Sequence, residues 1–137
     1  MGQMPRYTVI GAGQGGKAMA AHLALMGFET TLYNRTPEHV ATIGKRRGID
    51  LTSYEGGPHG FGRLARVTSD PKEAVTDSDI IMVVTPSSAH RDIAEMVAPF
   101  LRDGQIVILH PGRTCGAIEF VKVLHDNECQ ADVIVAE

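Results

Sequence analysis

The chain has 137 residues, 43% hydrophobic and 21% charged, with 13 Lys and Arg against 16 Asp and Glu for a net charge of −3. That length supports one domain with its own core, without disulfide or metal staples. The charge balance offers no basic field for nucleic acid or an anionic membrane, so the expected partner is a small molecule.

The longest apolar runs, "DIIMVVTP" and "GQIVILHPG", fall far short of the roughly 20 residues a membrane helix needs. "MGQMPRY" lacks a hydrophobic signal region, which makes the cytoplasm the expected compartment. Cys115 and Cys129 have no CxxC spacing. They read as reduced packing residues, and neither a disulfide framework nor a metal site is expected.

In chain order, "YTVIG", "TTLYN", "DIIMVVT", "QIVIL" and "DVIVAE" are short, unbroken apolar runs rich in β-branched residues. Such runs suit strands buried on both faces of a parallel sheet. The first helix is expected over Gln14–Met26, with Met19, Leu23 and Met26 as its apolar stripe and Gly27 as its stop. A second begins at "TPEH", with Thr36 as cap and Pro37 at the first helical position, and ends at Gly48. "SDPKEAV" repeats the cap-then-proline signal. A fourth helix is expected over Ser87–Val97 and a fifth over Cys115–His125, capped by Thr114 and packing through Cys115, Ala117, Ile118 and Val121. Between them, Gly48, Gly56, Gly57, Gly60 and Gly62 interrupt the rhythm. Here Ile49–Tyr54 and Leu64–Thr68 read as strands flanking a glycine-rich loop, with His59 solvated. The alternation implies a single α/β domain, a doubly wound parallel sheet of about six strands.

"VIGAGQGG" places Gly11, Gly13 and Gly16 in G-x-G-x-x-G spacing, directly after a strand and before a helix. That context makes the motif a dinucleotide-binding fingerprint, and the fold Rossmann-type over residues 1–137. Gly11 turns the chain, Gly13 admits a pyrophosphate, and Gly16 lets helix and strand pack closely. Ala12, Gln14 and Gly15 complete the loop at a helix N-terminus, whose free N–H groups suit an anion. The second strand ends in "YNRT", with no acid to bind a ribose 2′-hydroxyl. Arg35 suits a 2′-phosphate, with Asn34 and Thr36 adding neutral hydrogen bonds, so NADP(H) is expected over NAD(H), which stays admissible. Ligands of such sheets bind beyond the carboxyl ends of the strands, which adds Val84, Thr85, Pro86, His110, Pro111 and Gly112 to the cofactor crevice. His90 reads as a surface or packing residue.

These stretches, above all "LRDGQIVILHPGRTCGAIEF", resemble the N-terminal NAD(P)-binding domain of the octopine/nopaline (opine) dehydrogenase family. "VIGAGQGGKAMAAHLALMGFETTLYNR" is shared more widely, with dehydrogenases acting on glycerol 3-phosphate and 6-phosphogluconate. The resemblance implies a reductase that joins a 2-oxo acid to an amino acid's amine and delivers hydride to the imine carbon. The family often has Asn where this chain has His110. It also implies a second, helical substrate domain carrying a proton-transfer histidine. This chain stops at Glu137, so no catalytic residue is expected within it. A stand-alone NAD(P)-binding module and a subunit completed by another polypeptide are alternative readings. Apolar surface left by a missing domain would favour a homodimer. Arg113 stays open between a cofactor or substrate ligand and a bridge to the missing domain.

Overall fold

Val9 and Ile10 are adjacent in sequence, point to opposite sides of a strand, and are both buried. Val9 packs with Ala20, Leu32 and Val40 in one apolar cluster. Ile10 packs with Val83, Ile93, Val107 and Phe120 in another. Leu32 and Tyr33 divide in the same way. Two cores on two faces of one sheet explain why the strands carry unbroken apolar runs rather than alternation.

The computed structural model describes residues 2–137. Along them run β1 (Tyr7–Ile10), α1 (Gln14–Leu25), β2 (Thr30–Tyr33), α2 (Pro37–Arg46), β3 (Gly48–Leu51), β4 (Gly60–Arg63) and β5 (Arg66–Thr68). They continue through α3 (Pro71–Val75), β6 (Ile80–Val83), a 3-10 turn (Ser87–Ala89), α4 (His90–Val97), β7 (Ile106–Leu109), α5 (Gly116–Asp126) and β8 (Ile134–Ala136). Six strands form one sheet in the order β5-β2-β1-β6-β7-β8, every pair parallel. The order reverses beside β1, between β2 and β6, and that reversal creates a crevice at the carboxyl ends. The expected doubly wound sheet is therefore present. Buried Gln105 locks its opposite edge, donating to the carbonyls of Val75 (2.6 Å) and Ser78 (2.7 Å) while accepting from the Arg102 N–H. Among the described residues, no helix is long and apolar enough to cross a membrane.

Several local expectations need correction. The glycine-rich segment is not simply a loop: β4 pairs antiparallel with β3 in a separate two-stranded sheet. That hairpin lies on α1, where a Cβ at Gly62 would come 2.7 Å from the Ala21 carbonyl oxygen. Only a residue without a side chain permits this approach. The flanking strands are accordingly shorter than expected, at Gly48–Leu51 and Arg66–Thr68. α2 ends at Arg46, and the residue that stops it is not Gly48 but Arg47, which takes the left-handed conformation with φ 59°. Thr36 makes no side-chain cap bond to α2, whereas Asp70 caps α3 by accepting from the Lys72 N–H at 2.9 Å. The fourth helical segment is a 3-10 turn followed by α4.

α5 starts one residue late because Cys115 sits at φ 61° just before it, and Thr114 makes no cap bond. The helix turns Phe120, Val123 and Leu124 inward and leaves Ile118 and Val121 exposed, along with Cys115. Met26, expected on the apolar stripe of α1, is also exposed; Gly16, Ala20 and Ala21 form the buried face.

Candidate functional site at the carboxyl edge of the sheet

The turn from β1 into α1 is built on two backbone contacts. Gly11 has φ 111°, and its α-carbon faces the Val84 carbonyl. Gly16 lies so close to the Gly11 carbonyl oxygen that a Cβ would overlap it. The strand end and first helical turn are thereby pressed together, and neither position accepts a side chain. Gly13 differs: it is exposed, with no heavy atom within 4 Å of a Cβ built on it. It faces open space, where a pyrophosphate would approach.

The first backbone bond of α1 runs from the Lys17 N–H to the Gly13 carbonyl at 3.0 Å. The N–H groups of Gln14, Gly15 and Gly16 precede it, and Gly13 supplies no side-chain cap. Three donors at the positive end of a helix form an anion cradle. Asn34 holds this loop in place. Its Oδ1 accepts from the Ala12 N–H at 3.1 Å, and its Nδ2 donates to the Thr36 carbonyl at 3.1 Å. The amide therefore ties the glycine loop to the turn after β2, a task not visible in the sequence.

Beside this turn a cleft of about 730 Å³ opens over the strand ends; Gly11 lines it, whereas Gly13, Gln14, Gly15 and Gly16 do not. Of the residues expected at the cofactor, Gly11, Asn34, Arg35 and Thr85 line it. Ser69, Tyr33, Met96, Asp92 and Glu95 also line it and were not anticipated. Tyr33 donates to Met96 Sδ at 2.9 Å, and burial pushes its phenol pKa up, so the ring is a neutral wall. Ser69 follows the edge strand in "VTSD", where the helix-cap signal of Asp70 hid the significance of the serine beside it.

Ser69 Oγ and Thr85 Oγ1 are buried without hydrogen-bond partners, as is Nε2 of His110. Such groups are rare, and all three stand at the ends of β5, β6 and β7, where a bound molecule could supply their partners. The free helix donors, the open face at Gly13 and the two orphaned hydroxyls together fit an extended dinucleotide. Val84 packs its side chain toward Gly15, and Pro86 leads into the 3-10 turn. His110 and Pro111 form the turn after β7; Gly112 and Arg113 instead line a neighbouring, smaller cleft. His59 lies outside both clefts, exposed in the hairpin loop.

His90 is 1% exposed, which excludes a surface role. Burial lowers its pKa from 6.5, against the opposing pull of Glu119 and Glu137. The unfolded chain therefore takes up a proton near pH 6.5 while the folded ring stays neutral. Stability is full above that pH and falls as the pH drops from 6.5 toward the lower folded pKa. Replacing His90 with Phe should flatten this part of the profile. Urea midpoints of the two proteins measured from pH 7.5 to 5 test it, and parallel profiles would refute the assignment.

Comparison with known proteins agrees with this geometry. The family model for the NAD-dependent glycerol-3-phosphate dehydrogenase N-terminus matches residues 6–113. An opine dehydrogenase of Arthrobacter sp. (strain 1C) is 39% identical over 121 residues, covering 88% of this chain and 33% of that protein. A glycerol-3-phosphate dehydrogenase (NAD(P)+) of Thermoanaerobacter sp. (strain X514) is 32% identical over 107 residues, covering 75% of this chain and 30% of its own. The chain thus spans about a third of the length of the curated relatives it matches. Among solved structures, octopine dehydrogenase with NADH and L-arginine superposes with a TM-score of 0.81 over 95% of this chain and 34% of that chain. At 18% identity, that likeness is one of fold.

Proposed function

Because the chain belongs to the family of NAD-dependent glycerol-3-phosphate dehydrogenase N-terminal domains and is homologous to the NAD(P)-binding domain of opine dehydrogenase, we propose that it is the NADP(H)-binding part of an opine-type oxidoreductase. The reaction would reduce the imine formed from a 2-oxo acid and an amino acid. The observation that carries the opine-type reading is the 39% identity to an opine dehydrogenase. The bound dinucleotide supplies hydride. The chain's own residues bind and orient it: the N–H groups of Gln14, Gly15 and Gly16 take the pyrophosphate, and Ser69 and Thr85 offer hydroxyls along the cleft. Arg113, on the far side of the strand-end crevice, suits a substrate carboxylate and holds charge without moving protons. Much of the substrate pocket and the proton-transfer group belong, on this reading, to further polypeptide, in line with relatives of which this chain covers a third.

The cofactor preference rests on Arg35 and Thr36. Arg35 is exposed at the cleft, and the Thr36 hydroxyl is not spent on capping α2. Both can turn to a 2′-phosphate. Asp92 and Glu95 line the same cleft, where Arg35 is the cation among the lining residues. NADPH is expected to bind more tightly than NADH. Arg35→Ala should weaken NADPH about 10- to 100-fold while changing NADH little, the cost of one or two charge-assisted hydrogen bonds. Calorimetric titration of both cofactors checks this, and equal affinities in the parent chain would remove the basis for the preference.

A second reading, a dehydrogenase of the glycerol-3-phosphate type, draws support from the family match over residues 6–113. It shares the cofactor site and differs in the oxyanion that the substrate presents.

A further inference from the structure

The smaller cleft, about 390 Å³, lies between the Ser87–Ala89 turn and the amino end of α5. His90 lines it, fully buried, and neither ring nitrogen has a hydrogen-bond partner. A neutral imidazole carries one N–H donor and one acceptor nitrogen, and leaving both unmatched in the interior is costly. A purely structural role would be better served by a phenyl ring. The ring faces the start of α5: its Nδ1 lies 3.7 Å from the Cβ position of Gly116.

The surrounding groups are mostly donors. Arg113 and Thr114 form one side, Ser87 and Ser88 the other, and α5, an 11-residue helix, directs its first N–H groups at the same space. The chain itself demonstrates what this helix end accepts, since the Ala117 N–H donates to the Glu137 carboxylate at 3.1 Å. Arg91 and Arg113 are the cations of this cleft, and Glu119 on the wall with Glu137 beside it offset them, a balance that leaves anion binding to hydrogen-bond donors and disfavours a polyphosphate.

We infer that this cleft is an oxyanion subsite, distinct from the dinucleotide cleft, in which buried His90 and exposed Arg113 hold the carboxylate or phosphate group of a small substrate. The inference rests on the oxidoreductase reading for the identity of the substrate, but not for the presence of the subsite. Arg113 and Cys115, with φ 61° each, bracket Thr114 in the segment that lines the cleft.

The test uses this chain with nitrogen-15 in its histidine rings and backbone. Pyruvate and glycerol 3-phosphate are titrated separately, with and without NADPH. Saturable movement of the His90 ring signals by pyruvate supports the subsite with a carboxylate source, and movement by glycerol 3-phosphate supports it with a phosphate source. His90→Phe should weaken the active ligand at least about tenfold, and so should Arg113→Gln, which alters an exposed residue if the buried change impairs folding. No response of His90 to either ligand at tens of millimolar overturns the inference, as does parental affinity in either variant. The amides of Gly13–Gly16 report dinucleotide binding in the same spectra. Failure of the cofactor reading is therefore distinguishable from failure of the subsite.

Discussion

Gly16→Ala is expected to destabilise the chain by more than about 3 kcal/mol, beyond the usual range for an added methyl group. The reason is that the new methyl would meet backbone rather than a movable side chain. Its position coincides with the Gly11 carbonyl oxygen, in a strand-to-helix turn already pressed against Val84. Relief requires α1 to lift from β1, which opens the cluster of Val9, Ala20 and Leu32. Urea unfolding followed by circular dichroism measures the loss. A midpoint close to that of the parent would show that the turn yields more easily than its contacts imply.

Gly13→Ala should do the opposite: leave folding stability within about 0.5 kcal/mol of the parent, as expected for an exposed site away from packing contacts. Its Cβ meets nothing within 4 Å, and its φ of −73° is open to any residue. The space it enters is the approach to the free N–H groups of α1. Affinity for NADPH and NADH alike should fall about 100-fold, equivalent to roughly 2.7 kcal/mol of pyrophosphate contact. Titration calorimetry beside thermal unfolding separates the two quantities, and unchanged affinity would place the pyrophosphate elsewhere. The pair of variants divides one motif into a residue that holds the fold and a residue that receives the ligand.

Much of this was legible in the sequence because it is local. Strand runs, the cap at Asp70 and the glycine spacing each depend on residues close along the chain. The β3–β4 hairpin was not legible, because "GFGR" reads as loop until the Ala21 backbone is known to sit against Gly62. The phase of α5 failed for a different reason. The helix has apolar residues on two sides, and only the left-handed Cys115 and the space available for Phe120 decide which side turns inward.

The site shows the same division. Gly11, Gly13 and Gly16 follow from their spacing, Arg35 from its place at the end of the second strand, and Thr85 from the rule that ligands gather at strand ends. Ser69 and His90 acquire meaning only from burial without a partner, and spacing carries no trace of that. Asn34 was singled out for its polarity, but its bonds to Ala12 and Thr36 came only with the fold.

The hairpin has a thermodynamic consequence for ligand capture. It packs on α1, with Gly62 against Ala21 and Arg46 stacked 5.3 Å from the Phe61 ring centre. With the Asn34 amide tied to Ala12, the glycine loop is held by bonds that form on folding and need no dinucleotide. The ordering entropy is spent during folding rather than at the encounter, so little of the contact energy is lost on arrival. A cradle held in this way would receive a dinucleotide by fit, with association limited by orientation rather than by loop closure.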